Sequence, residues 1–345
     1  MYMIEKIRRF IRKNRKREYL WKCFINRDNN DFITLVLDWI ESPYNLQVYH
    51  YGKNNIGEII YVITEEGNNW GFFAEFRAML AKLLYAERMG MIPIVSYGDK
   101  FLYYETDGVY GKKNAFEYYF SQKMSEDDIY KSANVVWSSL KHSHYIENEY
   151  GNEGYMVREE FIDDLSVVFR KYIFFNDATM LFLKNAVSKL LQQRKILGIH
   201  YRGTDFKKGY KGHPIMITVE QIVEEVQKCY NSKNYEAIFL ATDDKSILVA
   251  LQEIWGSRLL YYKDVYRGEK ETSIAFSKSE RKYHKYLLGR EVIRDAYTLS
   301  ICDGLICGVS QVSIVAQIMK KSYDEKYEDL VVISNGVSNS GVQFI

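Results

Sequence analysis

The chain has 345 residues, enough for two domains or one large one, and either could bury a sizeable core. Lys and Arg total 47 against 45 Asp and Glu, a formal charge of +2 that gives no case for nucleic acid as a partner. No run of about 18 apolar residues is present and the amino terminus has no signal-peptide apolar core, so neither a membrane span nor export is expected. Cys23, Cys229, Cys302 and Cys307 show no CxxC spacing. A reducing, cytoplasmic setting is the expectation.

Residues 1–25 form a basic amphipathic segment, with Ile4, Ile7, Phe10 and Ile11 at helical spacing among Lys6, Arg8, Arg9, Arg12, Lys13, Arg15, Lys16 and Arg17. Such a segment can lie on an anionic membrane surface, and peripheral contact with the inner face of the cell membrane is weighed against a solvated helix. Residues 57–64 read as a strand, 72–89 as a helix closed by Gly90, and 92–96 as a second strand. That is a βαβ unit with parallel strands, and the turn from Gly67 to Gly71 lies at the carboxyl edge of its first strand. Residues 99–155 are irregular and aromatic. Within them His142 and His144 would share one face of a strand, a metal pair lacking an evident third ligand, for which an ordinary polar loop is the simpler account. Residues 159–193 read as helix broken near 175–177, where Asn176 can cap the second piece. The boundary is placed after Gln193, giving a first α/β domain over 26–195 and a second, Rossmann-like domain over 196–345.

The second domain opens with the strand 196–201, which runs into Arg202, Gly203, Thr204 and Asp205. A guanidinium at a strand's carboxyl end suits a phosphate or diphosphate, unless Arg202 merely pairs with Asp205 across its turn. A capping box at 218–221 starts a helix. The strand 236–240 leads through Asp243 and Asp244, either of which could be an N-cap, into a helix over 245–255. A strand over 258–262, a charged loop over 263–285 and a helix from about Arg290 follow. The strand 304–307, the turn at 308–310, the helix 311–319 and the strand 330–333 complete the pattern. Strands alternating with helices make a doubly wound parallel sheet, which brings Arg202, Asp243 and Ser310 to one cleft. Amides at the start of the Gln311 helix would accept phosphate oxygens, and Asp243, Asp244 or Asp295 could bind a base or ribose hydroxyls. There is no GxGxxG and no GxxxxGK[ST], so neither a dinucleotide fingerprint nor a P-loop is available. The fold class is therefore α/β, two Rossmann-like domains facing a cleft, in the GT-B manner of glycosyltransferases.

His200-Tyr-Arg-Gly-Thr-Asp205, Phe239-Leu-Ala-Thr-Asp-Asp244 and Cys307-Gly-Val-Ser-Gln311 resemble, in order and spacing, the three donor-binding motifs of fucosyltransferases. The likeness is to the α1,6 group, which includes the bacterial nodulation enzymes, and Asp295 also falls near a family aspartate. The resemblance implies GDP-fucose as donor, an inverting transfer with no cofactor and no required metal, and an oligosaccharide or glycolipid acceptor held mainly by the first domain. It implies that Arg202 holds the β-phosphate, that His200 and Asp295 lie near the nucleoside, and that Ser310 and Gln311 contact the diphosphate or the fucose. Two departures stand out: Gly203 occupies the place of the family's second arginine, and Tyr210 the place of an acidic residue. The first removes a diphosphate contact; the second leaves Asp205 and His213 as candidate bases. Transfer from another nucleotide sugar, and non-catalytic nucleotide or glycan binding, are the competing readings.

Overall fold

The computed structural model describes residues 10–11, 15–30, 33, 36, 46–67, 70–139, 142–152, 155–203, 211–265, 267–268, 274–277 and 279–339. Its core is built on two sheets. The first has four strands, β1 (Gln47–Tyr49), β2 (Ile60–Ile63), β3 (Ile92–Val95) and β5 (Val135–Trp137), in the order β1-β5-β2-β3. Strands β5, β2 and β3 are parallel and β1 is antiparallel at one edge. The expected βαβ unit is present, its crossover helix α2 running Phe72–Arg88. Phe73, Phe76, Leu80, Leu83 and Leu84 are buried along α2, as their helical spacing implied. A short pair, β4 (Phe120–Ser121) with β6 (Phe174–Phe175), lies outside both sheets.

The second sheet has five strands in the order β11-β10-β7-β8-β9, all parallel. They are β7 (Ile196–Tyr201), β8 (Ala237–Thr242), β9 (Leu259–Leu260), β10 (Gly304–Gly308) and β11 (Asp329–Ile333). Every residue of β7, β8 and β10 is buried, because helices cover both faces of a parallel sheet. At the edge, β11 alternates between half-buried and exposed residues instead. The covering helices are α7 (Val219–Lys233), α8 (Lys245–Trp255), α9 (His284–Ile301) and α10 (Gln311–Ser322). The strand order reverses between β7 and β10. In open α/β sheets the crevice at that switch point, beyond the carboxyl ends, is where ligands bind.

Further helices among the described residues are α1 (Arg15–Ile25), α3 (Glu126–Ile129), α4 (His142–Glu149), α5 (Glu159–Tyr172) and α6 (Asp177–Leu191). The break before α6 falls as expected, with Asn176 Oδ1 accepting from the Thr179 N–H at 2.9 Å. Three local expectations are corrected. The strand expected over 258–262 is only Leu259–Leu260, since Tyr262 turns inward, its ring 5.6 Å from Phe239 and its hydroxyl 2.9 Å from Thr298 Oγ1. Helix α9 starts at His284 rather than near Arg290. Its first turn is held from the first half of the chain: Tyr286 stacks on Tyr119 at 5.4 Å and its N–H donates to Glu105 Oε1 at 3.1 Å. The segment around His142 and His144 is helix, not strand. Residues two apart on a helix do not face each other, so the two imidazoles diverge. His142 is buried against Tyr85 and bonded to the Tyr61 hydroxyl at 2.6 Å, and burial lowers its pKa to about 3. Among the described residues no group of three His, Cys, Asp or Glu is placed to hold a metal ion.

Candidate active site

A cavity of about 610 Å³ lies between the two sheets. The second sheet supplies its floor, since three strand ends open onto it: β7 through His200 and Arg202, β8 through Ala241, Thr242 and Asp243, and β10 through Ser310. The first half supplies the roof, from Trp70, Gly71 and the first turn of α2, with His144 and Glu147 of α4 beside them. Two helix N-termini therefore face one space, α2 from above and α10 from below. Each carries partial positive charge, which favours an anion between them.

Arg202 is held by Asp243, its Nη1 2.5 Å from Asp243 Oδ2. The other Asp243 oxygen accepts from the Gly203 N–H at 2.9 Å. One carboxylate thus fixes both the guanidinium and the turn that carries it. Gly203 is required by contact: a Cβ at this position would meet the Asp244 side chain at 2.5 Å. An arginine in the manner of the family's second one has no room here. Asp244 is buried, lies outside the cavity lining, and caps α8, with Oδ1 accepting from the Ser246 N–H at 2.8 Å and its hydroxyl at 2.6 Å. The reading of Asp244 as a nucleotide ligand is corrected accordingly. Asp205 and Tyr210 lie outside the described residues.

Ser310 is the N-cap of α10, its Oγ accepting from the Ser313 N–H at 3.2 Å, and it also lies 3.1 Å from His200 Nδ1. That contact ties β7 to β10 across the switch point. His200 is buried, and desolvation lowers its pKa to about 4, with Asp243 opposing the shift and Arg202 reinforcing it. It is neutral at pH 7. Gln311 opens α10 on the cavity wall, and its buried Oε1 has no hydrogen-bond partner among the described residues. An acceptor so placed can take a bond from a ligand's N–H or O–H. Asp295, on α9, lines the cavity, and burial raises its pKa to about 7 against the pull of Arg294 and Arg267. His213 lines the opposite wall, its ring 5.1 Å from that of Tyr155.

Of the residues singled out in the sequence, the structure gathers His200, Arg202, His213, Asp243, Asp295, Ser310 and Gln311 around one cavity. It adds several that sequence reasoning missed. Arg77 of α2 and Glu147 of α4 form a buried ion pair at 3.2 Å on the roof. No local signal marks it, because the partners are 70 residues apart. Glu291 stands one helical turn before Asp295 and lines the same wall; it lies within the helix read from about Arg290, and the helix period places it on the face of Asp295.

Residues 165–331 match the family model described as alpha-(1,6)-fucosyltransferase N- and catalytic domains. No curated protein matches the chain. Solved structures similar to it include the NodZ alpha-1,6-fucosyltransferase soaked with GDP-fucose, 14% identical, covering 76% of this chain and 92% of that one, with a TM-score of 0.48. POFUT1 in complex with GDP-fucose is 10% identical, with coverage of 79% and 97% and a TM-score of 0.44. The matched residues include every strand of the second sheet save the last two positions of β11, and all three motifs; over them this chain resembles the fucosyltransferase family.

Proposed function

We propose that the cavity binds GDP-fucose and that the protein transfers fucose, with inversion and without a metal, to a hydroxyl of a glycan acceptor. The observation that carries this reading is the Arg202–Asp243 pair at the carboxyl end of β7, beside the N-terminus of α10, in the half of the chain that matches the fucosyltransferase model. As the bond from fucose C1 to the diphosphate oxygen breaks, negative charge grows on the departing GDP. A fixed guanidinium and the α10 N-terminus neutralise that charge where it develops. The acceptor oxygen forms the new bond to C1 from the opposite face and gives up its proton, for which His213 is the base of choice on the cavity wall. Once ionised, Asp295 suits guanine, since its carboxylate can accept from both the ring N–H and the exocyclic amine, a pair of donors that uracil lacks. His200, neutral, can donate or accept toward the ribose.

The protein acts at the inner face of a bacterial cell membrane, with its basic amino-terminal segment against anionic lipid. Helix α1 supports this, for it exposes Leu20, Trp21, Phe24 and Ile25. No helix among the described residues is long and apolar enough to cross a membrane.

A thermal-shift panel tests the donor. GDP and GDP-fucose should raise the melting temperature and UDP-sugars should not, a ligand at 100 times its Kd contributing about 2.7 kcal/mol. Equal shifts with UDP and GDP would overturn the assignment. Turnover that survives EDTA is expected, and its loss would overturn metal independence.

A further inference from the structure

We propose that a second cavity, at the carboxyl edge of the first sheet, is a carbohydrate subsite that holds an uncharged pyranose of an extended glycan. This cavity, of about 670 Å³, lies where β2, β3 and β5 end and β1 begins. One wall is aromatic. Tyr49 and Tyr51 stack at 5.3 Å with their planes 8° apart, Tyr130 meets Tyr51 edge-on at 5.2 Å, and Trp137 completes the lining. Tyr51 is 38% exposed and Trp137 is half-buried, so aromatic surface is accessible to a ligand.

The opposite side is polar and fixed. Glu65 is buried, and its Oε1 is held by the Gly98 N–H at 3.0 Å. Ser138 Oγ accepts from the Thr64 N–H at 2.9 Å, and Asp99 stands at the rim. A pyranose has the two surfaces this cavity asks for: an apolar face of C–H groups to lie on aromatic rings, and hydroxyls to donate to carboxylates. Glu65 and Asp99 outnumber Lys100 on the lining, a negative balance that disfavours an anionic ligand such as a nucleotide. A cationic ligand would compete with Lys22, whose ammonium already stands 4.3 Å from the Tyr49 ring centre.

The position explains the use. Thr64 and Glu65 line this cavity, and the same connection reaches the first cavity at Trp70 and Gly71. Ser138 and Ser139 line it likewise, and their connection reaches the first cavity at His144. Each of these two stretches of chain runs from the lining of one cavity to that of the other within about six residues, so a glycan with its reacting sugar in the first can rest a distant sugar in the second. That use as a distal acceptor subsite depends on the transferase reading above; the binding itself does not.

Saturation-transfer NMR on the full chain, with neutral hexasaccharides of glucose, mannose, galactose and N-acetylglucosamine as probes, tests the proposal. At least one series should bind, and Trp137→Ala and Tyr51→Ser should each weaken it about tenfold, the size of one lost aromatic contact, while the melting temperature shift with GDP is unchanged. Tyr51 is exposed, so its variant keeps the test alive should Trp137→Ala fail to fold. No binding by any series at about 10 mM, binding indifferent to the foldable variants, or tetramethylammonium binding in place of sugar would overturn it. Glycan binding without any GDP shift would leave the subsite standing and remove the donor reading.

Discussion

Arg202 shows how one side chain separates a structural from a chemical role. A point ammonium cannot reproduce a bidentate fork, so Arg202→Lys should lower kcat, and Arg202→Ala should lower it by about 10²-fold or more. Asp243 retains its bond from the Gly203 N–H in both variants, so folding should survive. If Arg202 served only to satisfy Asp243, then Arg202→Ala and Asp243→Asn would lose melting temperature alike and kcat would be near normal. Measuring both quantities on these variants decides the matter. Asp295 gives a second residue-scale prediction, through pH. Its carboxyl holds a proton to about pH 7 in the folded chain, while an unfolded Asp releases it near pH 4. Between those values the folded state binds more protons than the unfolded one, so this group lowers stability as pH rises from about 4 to about 7. Asp295→Asn should therefore melt above the wild type at pH 8 and level with it at pH 4, while losing affinity for GDP. An unchanged difference across that range would show that the carboxyl is not the buried, proton-holding group described.

At the scale of elements, the N-terminus of α10 does two jobs with one serine. Ser310 Oγ satisfies the Ser313 N–H and also meets His200, which aligns the helix end with the end of β7. Ser310→Ala should cost about 1 kcal/mol of stability through the lost cap and should weaken GDP binding, whereas Ser310→Thr should keep the cap. Melting curves with and without GDP measure both; a variant that loses stability but binds GDP normally would make the cap structural only. The strands that carry the site were legible because burial on both faces forces continuous apolar runs, as in β7, β8 and β10. Helix α9 was legible only from about Arg290 onward. The sequence before Arg290 is charged and aromatic, and what makes it helical is Tyr119 and Glu105 from another part of the chain.

At the scale of the molecule, the two sheets are joined through aromatic packing. The Tyr119 hydroxyl donates to the Tyr286 carbonyl at 3.0 Å, and Gly289 lets the Tyr119 ring approach α9 where a Cβ would clash. The cavity roof and floor are thereby held in register. Helix α1 packs on this core through Tyr19, which is buried and bonds the Leu46 carbonyl, and leaves Leu20, Trp21, Phe24 and Ile25 exposed. Deleting residues 1–17 should leave turnover on a water-soluble acceptor nearly intact and reduce co-sedimentation with anionic liposomes, each lost basic residue near the surface removing about 1 kcal/mol. Liposome binding that survives the deletion would end the membrane reading for that segment.

By itself the sequence determined the alternation of strands and helices, the apolar core of the second sheet and the polar turns at its strand ends, because each follows from periodicity and turn chemistry within a few residues. It also carried the three motifs of the family resemblance. The tertiary structure decided what those turns do. It paired Arg202 with Asp243, turned Asp244 away to cap a helix, left no room for a side chain at Gly203 and set Arg77 against Glu147 on the roof. It also placed Tyr49, Tyr51 and Trp137 around one hollow. These partners are distant in the chain, and which of two adjacent aspartates faces a cavity depends on a strand's exact exit. Local sequence does not contain that information; the packing of one sheet's edge against another does.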